Sequence, residues 1–210
     1  MKAISIILGS TFLLSGAVTG AQATEQPKYT VFDQIQGGME IRRYASRTIA
    51  EVVIPKKGES QTRRQAFRIL AGYIFGKNRA KAKIAMTAPV ETQQTGKKIA
   101  MTAPVQTQTK GGMFRMSFFL PAKYSAQSAP KPIDPRIRIR TATAVTMAAY
   151  RFSGAPDEAD MRRRWAILKS KLAESKWRVV GKPVSYFYNP PWTLPFMRRN
   201  EVAVQVTAKQ

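Results

Sequence analysis

Two segments of the sequence carry an apolar pattern with the period of an α-helix, and segments with strand-like alternation surround each of them. The first helical stripe consists of Ala66, Phe67, Leu70, Ala71 and Ile74. The second consists of Met161, Trp165, Leu168 and Leu172. Residues at these spacings share one face of a helix. Because such a face must be buried against a second layer, we expect an α+β fold in which two helices flank a curved antiparallel sheet or barrel.

The ends of both helices carry recognisable signals. Ser60 is the predicted N-cap of a helix over residues 60–75, and Gly76 is its predicted stop. The second helix is predicted to open at residues 153–157. Acidic residues in its first turn complement the helix dipole.

The remaining patterned segments alternate apolar and polar residues or are rich in β-branched and aromatic residues, as strands are. The predicted strands are residues 29–35, 39–44, 48–54, 113–120, 136–140, 144–152, 177–180, 184–188 and 201–206. The order of strands, helix and strands therefore occurs twice. Each half of the chain is predicted to form a sheet segment that carries one helix.

The octet KIAMTAPV occurs at residues 83–90 and again at 98–105. Methionine, threonine and valine suit a pleated strand, whereas each proline limits the ladder hydrogen bonds of its strand. Both copies are therefore predicted as short strands of one hairpin, with residues 91–97 as its polar loop. Two copies at this short period do not indicate a solenoid.

Residues 1–23 have the pattern of a secretory signal peptide. A basic start precedes an apolar run, and the small-residue triplet AQA at 21–23 follows it. We expect cleavage near Thr24, a single domain over residues 24–210, and an exported protein that is periplasmic or secreted.

The chain has 35 Lys and Arg residues against 12 Asp and Glu, a formal net charge of +23. Such a balance favours acidic partners. Because export separates the protein from most nucleic acid, we expect no nucleic-acid partner. Anionic lipid, envelope polymers and small carboxylated ligands are the remaining candidates. A basic protein that interacts with the envelope surface is therefore one alternative function.

The sequence contains no histidine and no cysteine. Disulfides, thiolate-ligated metals and the commonest general base and haem ligand are therefore excluded. If the chain were instead a small-molecule-binding or hydrolytic enzyme, its candidate acids would be Glu51, Glu91 and Glu201. None of them has a partner at a spacing that indicates catalysis, so we expect no catalytic residue and no metal site.

The string YNPPWTLPFMRRNEV at residues 188–202 resembles the C-terminal signature of the SOUL haem-binding family. The motif GKN at 76–78, followed by the octet at 83–90, is similar to a second family marker. Short matches follow in family order at 130–132, 134–135 and 151–154. The resemblance implies a distorted antiparallel β-barrel of two related halves, flanked by two α-helices. It also implies reversible binding of haem or a related porphyrin as a ligand.

The resemblance further implies that the site is an apolar patch near the first helix, with basic residues near the propionates. Carried onto this sequence, the predicted site consists of Arg64, Phe67, Arg68, Leu70, Ala71, Ile74 and Met86. Conceivable iron ligands are Met86, Met101 and Tyr73. Without a histidine, binding is expected to depend on ring burial and on pairing between propionates and arginines. We expect a monomer.

Overall fold

The computed structural model describes residues 25–95, 112–190 and 192–209. The predicted signal peptide and the second octet, at 98–105, lie outside these residues. The helices are α1 (Glu59–Ile74) and α2 (Glu158–Ala173). The strands are β1 (Tyr29–Ile35), β2 (Met39–Tyr44), β3 (Arg47–Pro55), β4 (Val90–Thr95), β5 (Met113–Phe119), β6 (Ile137–Ala142), β7 (Val145–Phe152), β8 (Trp177–Val179), β9 (Val184–Phe187) and β10 (Asn200–Ala208).

The strands form one antiparallel sheet in the order β1-β2-β7-β10-β9-β4-β5-β3-β6, and β8 pairs with the end of β10. Apart from β1, the order is symmetric about the central pair β4–β9. Strand β4 is the first strand after α1, and β9 follows α2 and the short strand β8. Going outwards, β5 corresponds to β10, β3 to β7, and β6 to β2. The predicted fold is therefore confirmed: an α+β protein with a curled, barrel-like antiparallel sheet of two related halves and two flanking helices.

Both helices pack on the same face of the sheet, which we call the helix face. Helix α1 packs on the even-numbered residues of β3 and β5, such as Val52 and Met116. Helix α2 packs on Ile41, Val202 and Val204. Because strand side chains alternate, the neighbouring residues of the same strands point to the other face.

That second face, which we call the polar face, combines a smaller apolar cluster with buried charged groups. The apolar cluster includes Ile49, Phe119, Val184 and Ala203. The charged and hydroxyl groups belong to Arg42, Glu51, Ser117, Tyr186 and Glu201, which are almost completely buried. The two faces of one sheet therefore have different chemistry.

Three local predictions were wrong. The first octet forms no strand before Val90, and the segment predicted as its polar loop is the central strand β4. The N-cap of α1 is Gly58, with no side-chain cap, while the Ser60 hydroxyl accepts a hydrogen bond from Arg64 at 2.6 Å. Ser60 is the second residue of the helix and cannot cap the first turn, because an N-cap residue must precede the helix.

The other helix ends agree with the predictions. Gly76 follows α1 with φ +111°, the conformation that glycine adopts readily beyond a helix C-terminus. Asp157 caps α2 in a reciprocal capping box, since its carboxylate accepts from the Asp160 N–H at 2.7 Å. No helix in the described part of the chain is long and apolar enough to cross a membrane.

Candidate functional site

Helix α1 has two apolar faces with different neighbours. Leu70 and Ile74 are completely buried in the core beneath the helix, together with Ala66 and Tyr73. Phe67 is 38% exposed, and its ring packs edge-on against Phe118 with 5.5 Å between centroids. One face of α1 therefore holds the helix to the sheet, and the other borders solvent.

The exposed face of α1 forms one wall of a cavity of about 590 Å³. Val90 and Thr92 of β4, Met116 of β5 and Phe187 of β9 lie at its base. The opposite wall consists of Ala155, Pro156, Asn189, Arg198 and Asn200. The volume falls within the range of about 300–1,000 Å³ that is usual for small-molecule sites.

Four arginines surround this apolar cavity, namely Arg63, Arg64, Arg68 and Arg198. Arg63 stacks over the Phe187 ring at 5.0 Å, and Arg198 Nε donates to the Thr193 carbonyl at 2.7 Å. Among the described side chains, no carboxylate lies within ion-pair distance of Arg64 or Arg68. An anionic ligand would therefore meet two guanidinium groups that no carboxylate already neutralises.

The structure brings together Arg64, Phe67, Arg68 and Ala71 of the predicted site. Leu70 and Ile74 do not join them, because their side chains lie on the sheet side of the helix with no exposed surface. Met86 is exposed but does not line this cavity.

Sequence reasoning missed the far wall of the cavity. Pro156 and Arg198 reach that wall, and Phe187 the base, from three different parts of the chain. Only Arg198 had a sequence signal, since it lies in the C-terminal signature string. Phe187 is brought to α1 by the pairing of β9 with β4, and Pro156 by the fold around the start of α2, neither of which periodicity reveals.

None of the conceivable iron ligands presents a free donor to the cavity within the described residues. Tyr73 is buried, and its hydroxyl donates to the Pro130 carbonyl at 2.8 Å. Burial raises the pKa of Tyr73 to about 12, which disfavours the tyrosinate that iron binds. Met86 lies elsewhere, and Met101 is outside the described residues. Met116 reaches the base of the cavity but is itself almost completely buried.

The C-terminal signature string forms a buried ion network on the polar face. Glu201 is fully buried and accepts hydrogen bonds from Arg42 at 2.7 and 3.1 Å, from Arg199 at 2.7 and 3.0 Å, and from the Tyr188 hydroxyl at 2.8 Å. Burial opposes ionisation, but the hydrogen bonds from Arg42 and Arg199 outweigh it and lower the pKa of Glu201. Arg199 and Glu201 therefore form an ion pair in the interior of the protein.

The motif at residues 76–78 is also structural. Asn78 is completely buried, and its amide donates to the carbonyls of Tyr73 at 3.0 Å and Ala82 at 2.7 Å. Its side-chain oxygen accepts from the Ala82 N–H at 3.0 Å. Asn78 thereby ties the end of α1 to the chain that follows.

The polar face contains the other two candidate acids. Strand register places Glu51, Ser117, Glu91, Tyr186 and Glu201 in one row across five neighbouring strands. Glu51 pairs with Arg140 at 2.7 Å. Burial raises the pKa of Glu91, and the nearby Arg47 and Arg140 offset this only in part. The Tyr186 hydroxyl lies near Glu91 but forms no hydrogen bond of good geometry with any described group.

A larger cavity, of about 770 Å³, lies between residues 25–28 and the loop after β5. Many of its polar groups are already bonded to one another: Thr48 to the Tyr124 carbonyl at 2.8 Å, and Ser125 to Ser128 at 2.9 Å. It lies away from α1, and its lining is more polar than that of the α1 cavity. No cluster of acidic residues that could hold a metal ion occurs in the described ranges.

Comparison with known families identifies the chain. The model of the SOUL heme-binding protein family matches residues 24–205. The chain belongs to the SOUL haem-binding protein family. The match covers both helices and nearly all of the sheet. No curated protein matches the sequence.

Solved structures show the same fold at low sequence identity. The crystal structure of the EcmrR C-terminal domain is 11% identical, with a TM-score of 0.60 over 86% of this chain and 98% of that one. A hydrolase from Listeria innocua is 9% identical, with a TM-score of 0.52 over 89% of this chain and 94% of that one. At this identity the likeness concerns the architecture alone.

The cavity beside α1 fits the ring and the carboxylates of a tetrapyrrole better than it fits its iron. The apolar base suits a flat aromatic ring, and the arginines suit propionates. The side chains that border the cavity include no histidine, cysteine or tyrosine. The iron of a bound haem would therefore add little to the binding of haem by this chain.

Proposed function

We propose that this SOUL family member binds haem or a related tetrapyrrole reversibly in the α1 cavity, without catalysis. The observation that carries the proposal is the apolar cavity of about 590 Å³ whose rim includes two arginines without a carboxylate partner. An apolar ring buried there would leave its anionic edge at these guanidinium groups.

The binding mode follows from the spacing on α1. Arg64 and Arg68 are one turn apart, and Phe67 and Ala71 lie on the same face. The ring would cover Phe67, Ala71 and Phe187 while its carboxylates pair with Arg64 and Arg68. Each charge-assisted hydrogen bond contributes about 1.5–3 kcal/mol at most, and solvent exposure places the value near the lower end. Affinity should therefore be modest.

A titration that compares haemin with metal-free protoporphyrin tests the proposal. Equal affinities are expected, because ring burial and carboxylate pairing do not involve iron. Binding that requires iron would overturn the proposed mode in favour of methionine or tyrosine ligation. No binding of either ligand would overturn the proposed function and leave a small-molecule enzyme or a surface-interaction protein.

A pair of double variants locates the ligand. Changing Arg64 and Arg68 to Ala should weaken protoporphyrin binding about tenfold or more, since about 1.4 kcal/mol corresponds to a factor of ten. Arg163→Ala with Lys169→Ala removes the same charge from exposed positions on α2 that border no described cavity, and should change affinity by less than about twofold. Equal losses from both variants would mean that net charge, rather than α1, attracts the ligand.

We also propose that the protein is exported, on the basis of the leader-like residues 1–23. Mass spectrometry of the protein from its native envelope should find an N-terminus at or near Thr24. Full-length protein confined to the cytoplasm would contradict this.

A further inference from the structure

The loop that joins β9 to β10 exposes four large apolar side chains within six residues. Trp192 is 82% exposed, Phe196 72%, Met197 62% and Leu194 55%. Single exposed apolar residues are common on soluble proteins, but a contiguous group of this size marks an interaction surface. We refer to these four residues as the apolar tip.

The apolar tip is held outwards by its own backbone. The Met197 N–H donates to the Leu194 carbonyl at 2.9 Å, and the Thr193 N–H donates to Pro190 at 3.0 Å. A short 3₁₀ turn at Pro195–Met197 follows. The loop therefore has a defined conformation in which its apolar side chains point away from the protein.

The base of the loop is anchored to the protein at several points. The Gly154 N–H donates to the Pro195 carbonyl at 2.9 Å, and the Asn200 amide donates back to the Gly154 carbonyl at 2.9 Å. Arg199 N–H donates to the Asn189 side chain at 2.6 Å. Because the loop is pre-organised, little conformational entropy would be lost when the apolar tip is covered.

The charge of the molecule indicates what covers the apolar tip. The formal net charge is +23, and Arg198 lies directly beside the tip, whereas the next residue, Arg199, is paired with Glu201. Trp, Phe and Leu next to basic residues are the combination that binds at the interface of an anionic bilayer. Tryptophan in particular favours the headgroup level. A soluble protein partner would need a much wider surface, since specific interfaces bury about 1,200–2,000 Å² in total.

We propose that the apolar tip inserts into the surface of an anionic lipid bilayer and that the basic charge of the protein holds it there. Asn189 and Arg198 flank the tip and also border the α1 cavity. Insertion would therefore bring the rim of that cavity close to the lipid headgroups. The proposal does not depend on tetrapyrrole binding, because the exposed side chains and the charge are properties of the ligand-free protein.

Co-sedimentation of the mature chain with vesicles tests the proposal. The vesicles contain phosphatidylcholine with phosphatidylglycerol, or phosphatidylcholine alone. Trp192→Ser with Phe196→Ser should lower binding to the anionic vesicles at least tenfold. The matched variant Ile133→Ser with Val180→Ser removes two exposed apolar side chains far from the tip in sequence and should change binding by less than about twofold. Wild-type protein should bind the neutral vesicles much more weakly, because charge attraction is then absent.

Tryptophan emission provides the second measurement. Trp177 is buried and Trp165 half-buried, so a blue shift on addition of anionic vesicles should come from Trp192. The shift should disappear in Trp192→Phe, while sedimentation with vesicles is largely retained. Equal binding by wild type and Trp192→Ser/Phe196→Ser would overturn the proposal, because net charge alone would then explain adsorption. Self-association that depends on the apolar tip, seen by analytical ultracentrifugation without lipid, would also overturn it in favour of a second copy of the chain.

Discussion

The arginines of the polar face and those of helix α1 belong to one molecule but have opposite surroundings. Arg42 is buried and bonded to Glu201, and Arg140 is bonded to Glu51. Arg64 and Arg68 lie on an exposed helix face beside an apolar cavity, with no carboxylate partner among the described side chains. The comparison indicates that paired arginines stabilise the sheet, whereas the unpaired ones are available to an anionic ligand.

The largest effect on stability is expected from a substitution that removes a carboxylate from the polar face. Glu201→Ala leaves the buried Arg42 guanidinium without its main partner, so the free energy of unfolding should fall by about 3–5 kcal/mol. Urea denaturation measures the loss. Glu40→Ala is the matched control, because Glu40 also pairs with Arg42 at 2.7 Å but is partly exposed. It should cost less than about 1 kcal/mol.

Removal of the α1 arginines should change stability much less than removal of Glu201. Arg64→Ala with Arg68→Ala should change the free energy of unfolding by no more than about 0.5 kcal/mol, as surface substitutions usually do. A loss similar to that of Glu201→Ala would show that the α1 arginines are structural and would remove the difference between the two groups.

The next prediction distinguishes the face of α1 that packs on the sheet from the face that borders the cavity. Leu70→Ala creates a cavity in the core and should cost about 2–5 kcal/mol of stability, while protoporphyrin affinity of the folded protein stays within about twofold. Phe67→Ala should cost less stability, because Phe67 is 38% exposed, and should weaken protoporphyrin binding severalfold. The reverse pattern would mean that the ligand reaches the core side of the helix. Denaturation and titration of the same samples separate the two effects.

The smallest expected effect distinguishes two glutamates of the polar face by the sign of their pH dependence. The pKa of Glu201 is lowered, so its contribution to stability is complete above its ordinary pKa near 4.5 and is lost as the pH falls through the folded-state pKa. The pKa of Glu91 is raised, so its ionisation lowers stability as the pH rises from about 4.5 through the folded-state pKa.

Glu91→Gln should therefore have little effect below pH 4.5 and should stabilise the protein relative to wild type at higher pH. The groups that face Glu91 are Arg47, Glu51, Arg140 and Tyr186, and the glutamine leaves all of them in place. Thermal unfolding from pH 4 to pH 8 measures the difference between the two proteins. A destabilised variant at neutral pH would show instead that Arg47 or Arg140 pairs with Glu91 as strongly as Arg42 pairs with Glu201.

The elements with a one-sided apolar pattern were predictable from the sequence. Strands β1 and β2 have the predicted bounds, α1 lies within one residue of its predicted bounds, and α2 begins directly after its predicted opening. Strand β4 was missed because its residues, VETQQT, look like a loop. In the fold, Glu91 lies on the polar face near Arg47 and Arg140, so a polar residue there does not indicate a loop in solvent.

The candidate site was predictable only in part, and the reason lies in the geometry of α1. Its apolar residues form one broad stripe in the sequence, and periodicity does not show where the sheet contact ends and the cavity begins. Arg64, Phe67, Arg68 and Ala71 recur at spacings of three and four and share the exposed face, whereas Leu70 and Ile74 share the buried one. The far wall depends on the pairing of β4 with β9, a contact between residues almost 100 positions apart.

The most direct test of a tetrapyrrole site beside α1 is a map of ligand-induced NMR shifts. Metal-free protoporphyrin is diamagnetic, and its ring current shifts the amide signals of nearby residues. The largest shifts are expected at residues 63–71 of α1, with further shifts at Ala155, Phe187 and Asn189, and small shifts along α2. Shifts concentrated on the polar face or spread evenly over basic surface residues, with α1 unaffected, would contradict it.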